Sequence, residues 1–388
     1  MTPRGRPDAR ALAMRFVIGI GVVSLFADFT YEGGRSIVGP YLGVLGATPF
    51  LVGAIAGVGE FLGYALRLLS GGFVDRRGHH WAVIYLGYAV NLLAVPAIAL
   101  TGAVAPAAGL VFAERLGKGL RTPARDTLLA SASHEIGRGR AFGLHELLDQ
   151  IGALVGPLAV AGGVALSGYR LGFGILIVPA VLAMLSLVRA RGLEPAGDRA
   201  TAPFDTRGFS PTYWRYLVFA SLAVMGFAHF ALVAFRFGAD AVVTPASIPL
   251  LFALAMGVDA GAAYLVGHLY DRYGLRVLAA LPVLTLPTAP LLFLSHGIVL
   301  LAVGAAVWGA ALGLQESLMR AAVADLTPPE RRGTAYGVFD TAFGTAWMLG
   351  SLAMGGLFEI GPAYLVAFSL LLELASLALL SRVLRGLR

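Results

Sequence analysis

Three ionisable residues recur along one helical face inside the first long apolar run: Asp28, Glu32 and Arg35, at i, i+4 and i+7. A carboxylate in a low dielectric holds its proton more firmly, and a neighbouring arginine loosens it. Asp28 and Glu32 could therefore share a proton while Arg35 pairs with one of them. The second run adds Glu60, Tyr64 and Arg67 on one face. Glu60 is a candidate for substrate or proton binding, or a structural partner of Arg67 or Arg35. The fourth run places Glu114 and Arg115 before a glycine-rich stretch ending at Arg121. The fifth carries Glu146 and the deeper Asp149, then Gly152, Gly156 and Pro157. Small residues let helices approach closely, and proline removes one backbone hydrogen bond, which suits a gate. Later runs hold fewer acids: Asp259, Glu316, Asp340 and the isolated Glu373. Ionisable groups at such depth cost about 2.5–3.5 kcal/mol each on insertion scales, so they face a cavity or a partner. Tyr31, Tyr64, Phe227 and Trp347 could stack on a cationic or apolar ligand, although an aromatic in such a run more often only packs.

The elements that position these groups follow from composition. Of 388 residues, 58% are hydrophobic and 13% charged, with a mean hydropathy of +0.79. A soluble chain carries about 25% charged residues. Twelve apolar spans lie near 14–42, 50–74, 81–101, 104–124, 139–166, 169–190, 212–237, 246–269, 276–295, 298–322, 334–358 and 362–384. Each is long enough for a bilayer-spanning helix, and no segments show the alternation of a β-barrel. Absence of cysteine excludes disulfides and thiolate metal sites.

The spans divide into a six-helix bundle over 1–190, a Pro- and Arg-rich cytoplasmic linker over 191–211 and a second six-helix bundle over 212–388. Arginines concentrate in the loops of one side, which the positive-inside rule assigns to the cytoplasm together with both termini. The net charge of +7 is explained by these loops, not by nucleic acid. Gly71 to Gly78 reads G-x-x-x-D-R-x-G, and Gly267 to Gly274 repeats it 196 residues on. A second match, Gly139 to Glu146 with Gly333 to Asp340, has an offset of 194. Two matches at nearly one offset indicate duplication of a six-helix unit. The charged turn is expected to act as a latch. Asp75 would dock at the N-terminal end of span 11 near Gly333, where the helix dipole favours negative charge, and Arg76 would pair with Asp126 or another loop acid. Gly78, Asp271 and Arg272 belong to the same gating set.

These motifs resemble the major facilitator superfamily over essentially the whole chain. Gly71 to Gly78 is similar to that family's cytoplasmic motif between helices 2 and 3, with His79 and His80 where basic residues are usual. Arg115-Leu116-Gly117-Lys118-Gly119 resembles its R-x-x-x-G motif and departs at Arg121, where a second glycine is usual. Gly143, Gly152, Gly156 and Pro157 resemble its antiporter signature, the terminal glycine pair falling late, at Gly162-Gly163. The resemblance implies a secondary transporter with alternating access between two bundles, related by a pseudo-twofold axis, and a proton-transfer role for Arg115.

The expectation is an inner-membrane, multi-pass carrier that exchanges protons for an amphipathic or cationic small molecule. Proton coupling would use Asp28, Glu32, Asp149 and Arg115. The substrate would meet Asp28, Glu32, Arg35, Glu60, Tyr31, Tyr64, Glu146, Asp259, Glu316 and Asp340. Uptake of a metabolite by symport or facilitated diffusion is the alternative, and a non-transporting scaffold or sensor a second. Enzyme signatures are missing: His145-Glu146-Leu147-Leu148-Asp149 is not H-E-x-x-H, and Lys118 lacks a P-loop context. No cofactor, metal or nucleic acid is expected; the partners are substrate, protons and lipid, and the chain is expected to act as a monomer.

Overall fold

The computed structural model of the chain describes residues 6–77, 79–193, 209–328 and 331–385, the side chains at 6–9, 71–77, 134–135 and 138 excepted. No strand occurs among them. The first half holds α1 (Arg6–Val44), α2 (Pro49–Arg77), α3 (His80–Ala97), α4 (Val104–Ile136), α5 (Arg138–Gly174) and α6 (Ile177–Arg191). The second holds α7 (Pro211–Met225), α8 (Phe230–Ala239), α9 (Ser247–Tyr273), α10 (Ala280–Thr285), α11 (Thr288–Phe293), α12 (Ile298–Asp325), α13 (Arg332–Ile360) and α14 (Pro362–Arg385). Most of the expected linker, 194–208, lies outside the described residues.

These helices fall on the twelve expected spans. Eight stretches are long and apolar enough to cross a membrane. Two of them, Gly139–Arg191 and Ser247–Phe293, run to 53 and 47 residues, more than twice the about 20 that one crossing needs. α4 and α13 complete the set. Glu114, Arg115, Lys118 and Arg121 interrupt the apolar middle of α4, and glycine, serine and threonine dilute α13. The architecture is all-helical and membrane-spanning.

The sixth, seventh and ninth spans are not single helices. α5 runs through Pro157, turns at Ser167 and Gly168, where Gly168 has a φ of 73° that glycine adopts without strain, and carries the start of the sixth span, which α6 completes after a break at Ile175 and Leu176. The seventh span breaks between α7 and α8. Gly226 ends α7, and the His229 side chain caps α8 by accepting from the Ala231 N–H. The ninth span is a 3-10 segment, Gly274–Ala279, followed by α10 and α11. Pro282, Pro287 and Pro290 each lack an N–H, so a continuous helix cannot form there.

Unbonded backbone is tolerated at membrane depth only where protein covers it. The Ser369 hydroxyl donates to Gly226 O at 2.7 Å and the Trp308 indole N–H to Ala228 O at 2.9 Å. Arg236, in the last turn of α8, donates to Leu292 O and Ser295 O at 2.5 and 2.8 Å, satisfying the carbonyl end of α11.

The chain groups into two compact units, Met1–Gly34 with Ala65–Thr201 and Arg35–Tyr64 with Ala202–Arg388, so α1 and α2 each contribute to both. In the first unit Phe16, Ile20 and Val23 of α1 pack on Ile84 and Tyr88 of α3 and on Leu128 of α4. Gly152 and Gly156 of α5 lie against the backbone of Leu25 and Phe29 on α1. In the second unit Gly309 and Gly313 of α12 lie against the backbone of Ala255 and Asp259 on α9. Phe227, Phe230, Phe252 and Trp308 form one aromatic cluster with ring centroids 4.4–6.2 Å apart. Lipid offers apolar side chains no less than a helix does, so close van der Waals contact between backbones drives such association.

A methyl group at Gly152 would collide with Leu25 O, whereas one at Gly162 would meet nothing within 4 Å. Gly152→Ala should therefore lower stability by about 1–3 kcal/mol, the usual cost of overpacking, and Gly162→Ala should leave it unchanged or raise it slightly. Thermal unfolding of the two variants in detergent checks this; equal melting temperatures would contradict the close-packing reading.

Candidate functional site

In the first unit the face of α1 carrying Asp28, Tyr31 and Glu32 is buried, each residue being under a tenth exposed. α4 supplies the opposing charges. Helical spacing puts Glu114, Lys118, Arg121 and Arg125 along one stripe of it. Lys118, the chain's one lysine, has its Nζ 3.7 Å from the centroid of the Tyr31 ring, a cation–π contact. Its charge acts on both Asp28 and Glu32. Arg121 is fully buried, its guanidinium 4.2 Å over the Tyr88 ring. The charges acting on Asp28 are those of Asp149, Lys118, Arg121 and Glu32. Two acids from α1, one from α5 and two cations from α4 thus share one buried region of this unit.

A line of polar groups runs from that region toward the N-terminal ends of α1 and α5. Arg125 pairs with Asp126 at 2.9 Å and its Nη1 donates to Ser24 Oγ at 3.3 Å. Ser24 Oγ lies 2.8 Å from His145 Nε2. Which of the two donates follows the tautomer of the ring. His145 Nδ1 lies 3.5 Å from Asp149 Oδ2.

Arg115 is held differently. Its Nε lies 3.2 Å from Glu114 Oε2, and Asn91 Nδ2 donates to Glu114 Oε1 and O at 2.9 and 3.1 Å. Glu146 is exposed and accepts from Gln150 at 3.2 Å, so one turn separates it from Asp149 in depth.

The second unit gathers Arg35, Glu60 and Tyr64 with a residue that composition gave no reason to single out, His229. Arg35 Nη2 is 3.5 Å and His229 Nε2 is 3.4 Å from the same oxygen, Glu60 Oε1. Because His229 Nδ1 accepts from Ala231 N, the ring proton is on Nε2 and points at Glu60. The His229 ring lies 5.8 Å from Trp347, Trp347 5.3 Å from Phe343, and Phe343 5.4 Å from Tyr64. A carboxylate and an aromatic wall are therefore neighbours, an arrangement able to take a cation or a stacked ring.

The remaining expected residues are dispersed. Asp259 is buried on α9 beside Gly313, Glu316 is exposed on α12, and Asp340 lies 4.0 Å from Arg320. Asp271 and Arg272 are exposed at the end of α9, where Arg272 faces the Tyr273 ring at 5.3 Å. Asp75 and Arg76 belong to the last turns of α2, but their side chains, like Gly78 as a whole, lie outside the described residues, and the latch with them. Among the described residues no group of three or more His, Asp or Glu side chains could hold a metal ion.

Residues 20–242 and 217–386 each match the sequence model of the family described as Major Facilitator Superfamily. Proteins of Mycobacterium tuberculosis and Mycobacterium bovis, both described as uncharacterized, are 41% identical over 380 residues, 95% of this chain and 92% of theirs. A Methanocaldococcus jannaschii protein described as an uncharacterized MFS-type transporter is 21% identical over 92% of both chains. Among solved structures, the nucleoside transporter NupG superposes with a TM-score of 0.75 at 15% identity, covering 94% of this chain and 99% of its own. A bacterial homologue of the human lysosomal transporter Spinster, inward-facing and occupied, gives 0.76 at 15% identity, with 95% and 96% covered. Matched along almost its entire length and folded as these carriers are, the chain belongs to the major facilitator superfamily.

Proposed function

We propose that this protein is a proton-coupled antiporter that exports an amphipathic cation by alternating access, with both termini in the cytoplasm of a cell whose inner membrane it spans. The observation that carries the reading is the convergence of Asp28, Asp149 and Lys118 in one buried region of the first unit. A substrate cation and a proton compete for the single negative charge of Asp28. Ionised Asp28 draws the cation in. Protonation removes that attraction and leaves the charge of Lys118 less compensated, with Glu32 alone still opposing it. A unit charge about 4 Å away is worth about 4 kcal/mol at an effective dielectric constant of 20, enough to expel a cation whose counter-charge has just been neutralised. The Ser24–His145–Asp149 line supplies a proton route on the cytoplasmic side, since α1 and α5 both begin there in this orientation, and Arg125, always protonated, holds Ser24 in place. Within the second unit, Glu60, backed by His229 and the Trp347–Phe343–Tyr64 wall, is by itself able to hold a positive or aromatic group. Gly152 and Gly156 keep α5 against α1, so motion of one carries the other.

A second reading has its own observation. Arg121 is 1% exposed, and its Nε and Nη1 have no hydrogen-bond partner among the described residues. With Lys118 alongside, that favours a substrate bearing an acidic group, taken up together with a proton.

The two readings separate in vesicles. Ethidium and tetraphenylphosphonium serve as probe cations in everted vesicles energised by a proton gradient. Asp28→Asn should cut gradient-driven uptake by more than about tenfold and leave residual binding insensitive to pH across the neutral range. A variant that pumps as well as the parent, with the same pH profile, would rule Asp28 out as the coupling acid. Lys118→Gln gives the opposite signs for the two substrates. For a cation it should tighten binding and slow turnover, because release loses its repulsive push; for an acid it should abolish binding, measured by thermal shift against a metabolite library.

A further inference from the structure

Glu373 stands in the middle of α14, the last span, and takes no part in the site above. It is fully buried, and neither of its carboxylate oxygens has a hydrogen-bond partner among the described residues. Oε1 lies against Gly226, where a Cβ would sit 3.0 Å away. The Thr285 and Ser376 hydroxyls act on the carboxyl, and Ser369 is one turn away. Each of these hydroxyls also reaches a backbone carbonyl: Ser369 that of Gly226 at 2.7 Å, Ser376 that of Glu373 at 2.9 Å, and Thr285 those of Leu281 and Pro282 at 3.1 and 3.2 Å. A hydroxyl whose proton goes to a carbonyl keeps two lone pairs for a cation beside the carboxylate.

The backbone adds negative potential. α7 ends at Met225–Gly226, and the helical stretch through α10 ends at Thr285. Both are carbonyl ends, which carry partial negative charge. The charged groups on the helices packed around α14 do not offset this. Arg215, Arg276, Glu359, Arg382 and Arg385 are exposed, and Asp340 pairs with Arg320. A buried carboxyl facing hydroxyl oxygens and two helix carbonyl ends, with no cationic side chain at hand among the described residues, has its charge cancelled either by a proton or by a bound cation.

We propose that Glu373, with the hydroxyl oxygens of Thr285, Ser369 and Ser376 and the end of α7 at Gly226, forms a binding site for sodium. An all-oxygen set suits a hard cation. One carboxylate balances one positive charge, so a monovalent ion is matched where a divalent one would leave a net charge buried. Interrupted helices whose carbonyl ends converge on an acid are a recurrent way of holding such an ion at membrane depth. The site has a mechanical consequence within this unit. Gly226 is the first residue of the α7–α8 break, and His229, which holds Glu60, is its last. Sodium at Glu373 therefore pins one end of the break whose other end positions the Glu60 cluster. The inference is independent of whether Asp28 couples to protons.

The test is thermal unfolding of the full-length purified protein in detergent, titrated with sodium chloride against choline chloride at constant ionic strength and pH, with potassium chloride as a size control. Sodium should raise the apparent Tm along a saturating curve, potassium less, choline not at all. Glu373→Gln should abolish the sodium response while raising the sodium-free Tm, because it removes the buried charge. Gly226→Ala, which crowds Oε1, should move the response to higher sodium concentration. Should Glu373→Gln fail to fold, the sodium and choline curves of the parent protein decide alone. Equal response to all three salts, or a sodium response that survives Glu373→Gln, overturns the proposal. A Tm that depends on pH but not on sodium, with the dependence lost in Glu373→Gln, also overturns it and makes Glu373 a proton carrier.

Discussion

A helix inside lipid has no water to receive a stray polar group, and this constraint organises both units. Where the backbone stays helical the requirement is met by the helix itself. Where it does not, at Gly226–His229 and again past the end of α11, from Leu292 to Ser295, side chains from other helices take over. Ser369, Trp308 and Arg236 each spend a donor on a carbonyl that a continuous helix would have satisfied. Tyr213 and Tyr216 of α7 instead add a bond to carbonyls inside continuous helices, Ala335 O of α13 and Met319 O of α12, at 2.8 and 2.7 Å. The polar side chains of this very apolar protein serve two purposes: repairing backbone, and building the few charged regions in which a ligand could be held.

The same constraint explains why the charged regions are networks rather than isolated groups. Asp28 has neighbours of both signs on α1, α4 and α5. Glu60 Oε1 takes both Arg35 and His229. A charge left alone at such depth would cost far more than the pairing of two imperfect partners returns, so these two acids arrive with their compensation. That makes each network sensitive to a change of one charge. Glycine-lined contacts supply the complementary stiffness. The Gly152 and Gly156 face of α5 and the Gly309 and Gly313 face of α12 bring backbones together without intervening side chains.

Much of the architecture was legible in the chain. Twelve apolar runs marked the spans, and the offsets of 196 and 194 marked the duplication. Pro282, Pro287 and Pro290 mark an irregular ninth span, which the count of apolar runs treats as one helix. The seventh gave no such signal, because Phe227, Ala228 and Phe230 are as apolar as the helices they interrupt. Among site residues, Asp28, Glu32 and Glu60 stood out as acids in apolar runs. Their partners did not. Lys118 read as part of a glycine-rich motif and His229 as an unremarkable residue in an aromatic stretch, since 90 positions separate Lys118 from Asp28 and 169 separate His229 from Glu60. Which of several arginines would meet Glu60 was open in the same way; i, i+7 spacing offered Arg67, while helix packing selects Arg35 at 3.5 Å. Pairing across helices is decided by rotation and depth, which local pattern does not encode.

The solitary lysine has a practical side. With Lys118 the chain's one lysine, an amine-directed reagent finds a single side-chain target, and that target rests on the Tyr31 ring among the central acids. Reductive methylation with labelled formaldehyde would place one isotopic reporter there without any mutation. Its resonance, shifted by the ring current of Tyr31 and by the charge on Asp28 and Glu32, would give a spectroscopic view of the carrier's interior in native lipid.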